Sequence, residues 1–204
     1  MIITIGKDPK TVEISLPAEP KKIGVLISGG LDSAILFYLL MQENKNIGNI
    51  HSIVPLSIIR REGSKYFANL VIGHVLQEFG MPFELPMLVG TNRLPEHEQV
   101  RSGIMESRLR GIDICFLGLI DQLPQHMIGY HQILYTESEK VQAPLKHLNK
   151  NYIIELVKHF KQEALFYITH ACTTFEIGRC NDCNGCNERA WGFSQLGEVD
   201  PSKI

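Results

Sequence analysis

The segment Ile23–Ile27, IGVLI, is an unbroken apolar run of strand length, and it passes directly into SGGLDS and then into SAILFYLLMQ. A strand that is apolar in both directions is buried on both faces, and such strands lie inside parallel sheets covered by helices. The chain repeats the theme. IHSIVPLSI reads as a second strand, SKYFANLVIGHVLQEFG as a helix stopped by Gly80, and DICFLGL as another buried strand. FELPMLV is weaker, because Pro86 offers no amide to a ladder and favours a sheet edge. EHEQVRSGIMESRLRG reads as a helix with a soft spot at Gly103, and NKNYIIELVKHFKQ as one whose Ile153, Ile154, Leu156, Val157 and Phe160 share a face. Strands alternating with helices predict an α/β fold built on a doubly wound parallel sheet. Ahead of it, MIITI and TVEISL flank Asp8-Pro9 and read as an N-terminal β-hairpin, with PAEPKK as a linker.

The expected organisation is a hairpin over residues 1–19, an α/β domain over 20–140 that holds SGGLDS, and a helical C-terminal region over 141–204 that holds a cysteine-rich segment. At 204 residues there is room for one main core. A formal net charge of -2 gives no global attraction for nucleic acid or an anionic membrane. No apolar run approaches the roughly 20 residues of a membrane span, and no signal-peptide pattern opens the chain. The expected location is the cytoplasm.

SGGLDS lies between a buried strand and a helix, where open parallel sheets hold ligands and where free N–H groups and the helix dipole favour an anion. No lysine follows the glycines as in a Walker A loop, and the third glycine of a dinucleotide fingerprint is missing. Gly29 and Gly30 allow close backbone approach to a phosphate, and the hydroxyls of Ser28 and Ser33 can donate to its oxygens. Asp32 beside phosphates calls for a cation between them, and Mg²⁺ is the expected one. The plainer reading is a β–α turn in which Asp32 or Ser33 caps the helix.

Four of the five cysteines crowd into one segment: Cys172, Cys180, Cys183 and Cys186. Asn181, Asn184 and Gly185 supply turn chemistry between them. Four thiolates at short spacing suit a closed tetrahedral Zn²⁺ site of structural type; an iron–sulfur cluster and a redox pair are the alternatives. Cys115 reads as a buried strand residue.

Ser28-Gly29-Gly30-Leu31-Asp32-Ser33 closely resembles the PP-loop of the N-type ATP pyrophosphatases, which grips the pyrophosphate leaving group of ATP. Loop and cysteine spacing together resemble one branch of that superfamily, the 7-cyano-7-deazaguanine synthases of the queuosine precursor pathway. The resemblance extends to CNERAWGF after the last cysteine and to APLKHLNKNYIIELVKHF, where it maps a Pro-Leu element onto Pro144 and Leu145 and a phosphate-facing lysine onto Lys150. FLGLID resembles the strand-end glycine segment, implying Gly118 at the nucleotide and Asp121 nearby. The middle of the chain departs from the pattern. SIIRREGSKYF stands where a Gly-Gln-x-His element is usual, and no Pro-Gly-Arg-Asn precedes the fourth strand. Arg101 is the candidate phosphate or carboxylate contact there; Arg60 and Arg61 would line the mouth, and Arg108 and Arg110 a solvated face.

The resemblance implies that a 7-carboxy-7-deazaguanine carboxylate attacks the α-phosphate of ATP and that ammonia forms the amide. A second ATP activation then dehydrates the amide to the nitrile, releasing AMP and pyrophosphate. Asp32 and Lys150 would carry the catalytic charge, and Ser28 to Ser33, Arg101 and Gly118 would bind the nucleotide. The partners implied are the 7-deazapurine carboxylate and ammonia, with no membrane; a homodimer is compatible with them. Another PP-loop adenylating enzyme acting on a different carboxylate, amide or nucleobase is the nearest rival. A zinc-containing module that keeps ATP as a regulator and meets nucleic acid through Arg179 and Arg189 is the non-enzymatic one.

Overall fold

The apolar run at Ile23 becomes the central strand. The structure, a computed structural model, describes residues 1–58, 64–91, 96–120, 138 and 140–202. In it β3 (Lys22–Leu26) pairs in parallel with β4 (Ser52–Ile58) on one side and β6 (Ile114–Leu117) on the other. The outer strands are β5 (Met87–Val89), parallel to β4, and β7 (Val141–Gln142), parallel to β6. The five-stranded order is thus β5-β4-β3-β6-β7. The weak strand at Pro86 is an edge strand as expected, but it is shorter than FELPMLV: β5 starts just after the proline. Sequence reading missed β7, whose two residues carry no period.

Helices cover both faces. Ile23, Val25 and Ile27 form one core with α1 (Leu31–Asn46), α2 (Ser64–Glu78) and α4 (Lys150–His159). Leu56, Ile58, Val89, Cys115 and Leu117 form the other with Val100 of α3 (Glu96–Leu109). α1 is apolar nearly all round because it is surrounded by the sheet and by helices; Ile35, Leu36, Leu39 and Leu40 are fully buried, each contributing about 1.5–3 kcal/mol. Gly103 is no soft spot, since α3 runs through it. A Cβ there would meet Val89 and Ile58 at 3.3 and 3.4 Å, so the glycine lets α3 approach the sheet.

The hairpin, β1 (Ile2–Ile5) and β2 (Lys10–Glu13), is a separate antiparallel pair whose Ile3, Ile5 and Val12 join the first core. Tyr152 of α4 anchors its turn by donating to the Asp8 carbonyl at 2.8 Å. Gly6, with φ of +87°, makes room, because a Cβ there would lie 2.3 Å from the tyrosine ring. The chain ends in the short α5 (Leu165–Ile168), the cysteine segment and α6 (Asn184–Ser194), whose Phe193 packs into the first core. Among the described residues no helix is long and apolar enough to cross a membrane.

Connections from β3 through α1, β4 and α2 to β5 build outward on one side, and α3 returns the chain to the other side of β3. The direction reverses between β3 and β6. A crevice at the carboxyl ends of these strands is where such sheets bind ligands.

Candidate nucleotide and metal site

The glycine-rich loop emerges from β3 at that crevice. Gly29 takes φ of +83°, which a residue with a Cβ adopts only under strain. Gly30 is the N-cap of α1 and no side chain caps the helix, so neither Asp32 nor Ser33 plays the capping part of the plainer reading. The Ser33 hydroxyl instead donates to the Gly30 carbonyl at 3.1 Å and accepts from the Ser28 amide at 3.2 Å. Ser28 is exposed, Leu31 is buried beneath the loop, and the first-turn amides have no intrahelical acceptor. The turn offers N–H groups and the exposed Ser28 hydroxyl to an anion, while the Ser33 hydroxyl braces the loop.

Gly118, one residue past β6, closes the floor. A Cβ on it would lie 2.6 Å from the Ser33 amide nitrogen and Cα, so only glycine lets the strand end meet the start of α1. From the far side, the His170 amide donates to the Gly29 carbonyl at 2.9 Å. The His170 ring stacks on Phe67 with centroids 4.4 Å apart.

Asp32, in the first turn of α1, meets Lys150, the first residue of α4. The ammonium donates to both Asp32 oxygens at 2.7 Å, and Glu188 Oε2 of α6 lies 3.2 Å from it. A lysine at a helix N-terminus stands against the dipole, and these two carboxylates offset that cost. Burial alone would lower the Lys150 pKa, but Asp32 and Glu188 override it and hold it above its ordinary value. Burial pushes Glu188 upward, Lys150 opposes, and the Asp32 charge adds to the rise. Lys150 reaches the cluster because Gly192, one turn after Glu188, leaves space: a Cβ there would be 2.7 Å from Lys150 Cγ. Sequence reading picked out Asp32 and Lys150 separately and missed Glu188. The available signal was an acidic residue one helical turn before a glycine, but nothing local ties it to position 150.

The four clustered cysteines lie together, with their sulfurs within 4.8 Å of one another. Four sulfurs about 2.3 Å from one ion stand roughly 3.8 Å apart; Cys172 and Cys183 are 3.9 Å apart. The amide of Thr173 donates to Cys183 Sγ at 3.4 Å, that of Phe175 to Cys172 Sγ at 3.2 Å, and that of Cys183 to Cys180 Sγ at 3.2 Å. Burial would raise Cys183, but the amides of Thr173 and Cys186 outweigh it and bring it to about 6, while burial pushes Cys186 up to about 12. A shared cation resolves that conflict by ionising every thiol it binds. The donor set fits one metal ion. Gly185 lies within α6 rather than in a turn, and a Cβ on it would sit 1.8 Å from the Ala171 carbonyl oxygen. Cys115 is buried in β6 away from the cluster, as expected, with its thiol pushed up to about 11 mainly by burial.

Arg179 and Arg189 do not form a nucleic-acid surface. Arg189 is 1% exposed, and its guanidinium donates to Asp200 at 2.9 Å, to Thr169 Oγ1 at 2.8 Å, to Ser202 Oγ at 3.0 Å and to the Phe166 carbonyl. Arg179 pairs with the same Asp200. Arg101 is exposed on α3, across the sheet from α1; Arg108 on the same helix and Arg110 just past its end are also exposed, with Arg110 paired to Glu106. Arg60, Arg61 and Asp121 lie outside the described residues.

A family model described as Queuosine biosynthesis protein QueC matches residues 113–197. That span runs from β6 past α6 and holds Gly118, Lys150, the clustered cysteines and Glu188, but not the loop after β3. The chain is similar to the 7-cyano-7-deazaguanine synthase of two strains of Leptospira biflexa serovar Patoc. The identity is 25% over 236 aligned positions, covering 90% of this chain and 94% of the relative. Among solved structures it is similar to the U34-tRNA thiolase NcsA from Methanococcus maripaludis with its 4Fe-4S cluster. That match has 18% identity and a TM-score of 0.46, and covers 91% of this chain and 69% of the other. It is also similar to PH1313 from Pyrococcus horikoshii Ot3, at 14% identity and a TM-score of 0.40, with 75% and 46% covered. The chain thus resembles the 7-cyano-7-deazaguanine synthases both in the motifs it carries and along most of its length.

Proposed function

We propose that this chain is an AMP-forming ligase of carbon–nitrogen bonds that makes 7-cyano-7-deazaguanine from 7-carboxy-7-deazaguanine, ammonia and ATP in the cytoplasm. The observation that carries the reading is the meeting of the Ser28–Ser33 loop with the Asp32–Lys150 pair at the switch point of the sheet, beside a four-cysteine site. The loop amides and the Ser28 hydroxyl hold the β- and γ-phosphates as one unit, which leaves the α-phosphorus open to attack. Gly118 floors the nucleotide, and Arg101, across the sheet from α1, takes no part.

The substrate carboxylate attacks the α-phosphorus, the bond to the bridging oxygen breaks, and pyrophosphate departs with the electron pair. Ammonia then adds at the acyl carbon and AMP leaves. A second adenylation, on the amide oxygen, lets that oxygen depart in AMP as the nitrogen gives up its protons and the nitrile forms. Lys150 and the loop donors stabilise charge on the departing pyrophosphate, where removing one well-aimed donor costs roughly 10²–10³ in rate.

Asp32 is an oxygen donor at the mouth of the loop and fits Mg²⁺, which when bound neutralises phosphate charge. The cysteine site fits Zn²⁺, whose four protein ligands leave no open position, so the ion would act by holding α6 and the preceding segment in place. The close sulfur spacing favours one ion over a cluster, whose larger body holds its thiolates further apart.

The test is to incubate the zinc-loaded chain with 7-carboxy-7-deazaguanine, ammonium, Mg²⁺ and ATP. The nitrile, some amide, AMP and pyrophosphate are expected. AMP formed only with another acceptor would move the substrate, and ADP would overturn the mechanism.

A further inference from the structure

We propose that Glu188 is the fixed anchor of Lys150, keeping the lysine in place when Asp32 is given up to the magnesium ion that accompanies the nucleotide. The proposal rests on the ATP-site reading above and adds a residue to it.

The ammonium of Lys150 has three protons; Asp32 takes two at 2.7 Å, and Glu188, at 3.2 Å, lies within reach of the third. One lysine therefore stands between two carboxylates, and the trio carries a net negative charge. The two carboxylates differ in how they are held. Asp32 sits at the edge of the crevice in the first turn of α1, beside the glycine-rich loop, its side chain 21% exposed against 15% for Glu188. Glu188 is fastened from both directions along α6. Cys183 is the N-cap of that helix and Cys186 lies two residues before Glu188. Arg189, the next residue, is bound by Asp200, Thr169, Ser202 and the Phe166 carbonyl. One turn on, Gly192 packs against the aliphatic stem of Lys150.

The asymmetry has a chemical use. Each Asp32 oxygen already accepts from Lys150, and a dication on the same carboxylate repels the ammonium, so magnesium competes with Lys150 for Asp32. A second carboxylate on the far side of the lysine lowers the cost of that exchange, because Lys150 keeps a counter-charge when Asp32 is withdrawn. Lys150 then turns from Asp32 towards the phosphates while its stem stays on Gly192. Glu188 is thus a positioning residue that acts through Lys150 and touches neither nucleotide nor metal.

The experiment is calorimetric binding of α,β-methylene-ATP to the full-length zinc-loaded chain over a series of Mg²⁺ concentrations. Glu188→Gln, which keeps the shape and removes the charge, should raise the Mg²⁺ needed for half-maximal binding about tenfold, with a melting temperature within a few degrees of the parent. Glu188→Asp, which keeps the charge with a shorter reach, should give a smaller shift in the same direction, and it serves as the reading should the Gln variant fold poorly. In a Lys150→Met background residue 188 has nothing left to hold, so Glu188→Gln should add no shift. An equal shift in both backgrounds would make Glu188 a direct ligand of the ion and overturn the proposal, as would no shift in the parent. Failure of the ATP-site reading looks different: Asp32→Asn and Lys150→Met would then bind the analogue as tightly as the parent.

Discussion

Glu188 and Arg189 are neighbours in α6, yet they serve buried ion clusters of opposite construction. Around Arg189 the carboxylate is fully used. Asp200 accepts from Arg189, Arg179 and the amide and hydroxyl of Ser202, and other guanidinium N–H groups of Arg189 donate to Thr169, Ser202 and the Phe166 carbonyl. Around Lys150 one cation faces two carboxylates, and the Asp32 side chain reaches the crevice. The closed cluster ties the end of the chain to the cysteine segment. The open one keeps a carboxylate at the crevice, within reach of a ligand. Burial alone does not separate a structural ion pair from a working one; what separates them is whether every partner is already used.

Removing one member of each cluster should therefore cost different things. Asp200→Ala strands two buried guanidinium groups and should lower stability by about 3–5 kcal/mol in urea unfolding. It should also loosen the metal. Lys150→Met should reduce substrate-dependent pyrophosphate release by roughly 10²–10³ while costing less stability than Asp200→Ala. Equal losses of stability from the two variants would erase the distinction. Gly118→Ala pushes a Cβ to 2.6 Å from the Ser33 backbone, and overpacking of this kind costs about 1–3 kcal/mol. The loss should appear mainly as weaker ATP binding, measured by calorimetry, because the displaced atoms belong to the loop.

The smallest effect is the response to pH, and its sign differs between the clusters. Burial would raise the Asp200 pKa, but Arg189 and Ser202 outweigh it and hold it below its ordinary value. The stability it contributes is present above the ordinary carboxylate value and is lost as pH falls through the lower folded value, below about 4. Lys150, held above its ordinary value, contributes stability that is complete below about 10.4 and is lost as pH rises through the folded value. Urea midpoints taken across pH should show Asp200→Asn flattening the acid limb and Lys150→Met the alkaline one.

The sheet was legible because its strands announce themselves. IGVLI and DICFLGL are apolar in both directions, and the proline before β5 marks an edge. The hairpin and the face of α4 follow from local period. β7 escaped because two residues have no period and pair only once β6 exists. The loop and the four cysteines could be read because their chemistry is written in consecutive or closely spaced residues. The arrangement of charge could not, since Asp32, Lys150 and Glu188 come from three helices, and nothing near any one of them names the others. Arg189 misled for the same reason: an arginine beside a metal loop looks like surface until the chain places Asp200 against it.

The hydrogen bond from the His170 amide to the Gly29 carbonyl, with the Lys150–Asp32 pair spanning 118 positions, also sets an order of assembly. The loop is synthesised early, yet two of its partners, Lys150 and His170, follow more than a hundred positions later. A nascent chain can form β3 and pack α1 on it, but it cannot present the braced loop until Lys150 and His170 have emerged and folded. A chain that stops before α4 therefore carries the glycine-rich loop in sequence with neither brace in place.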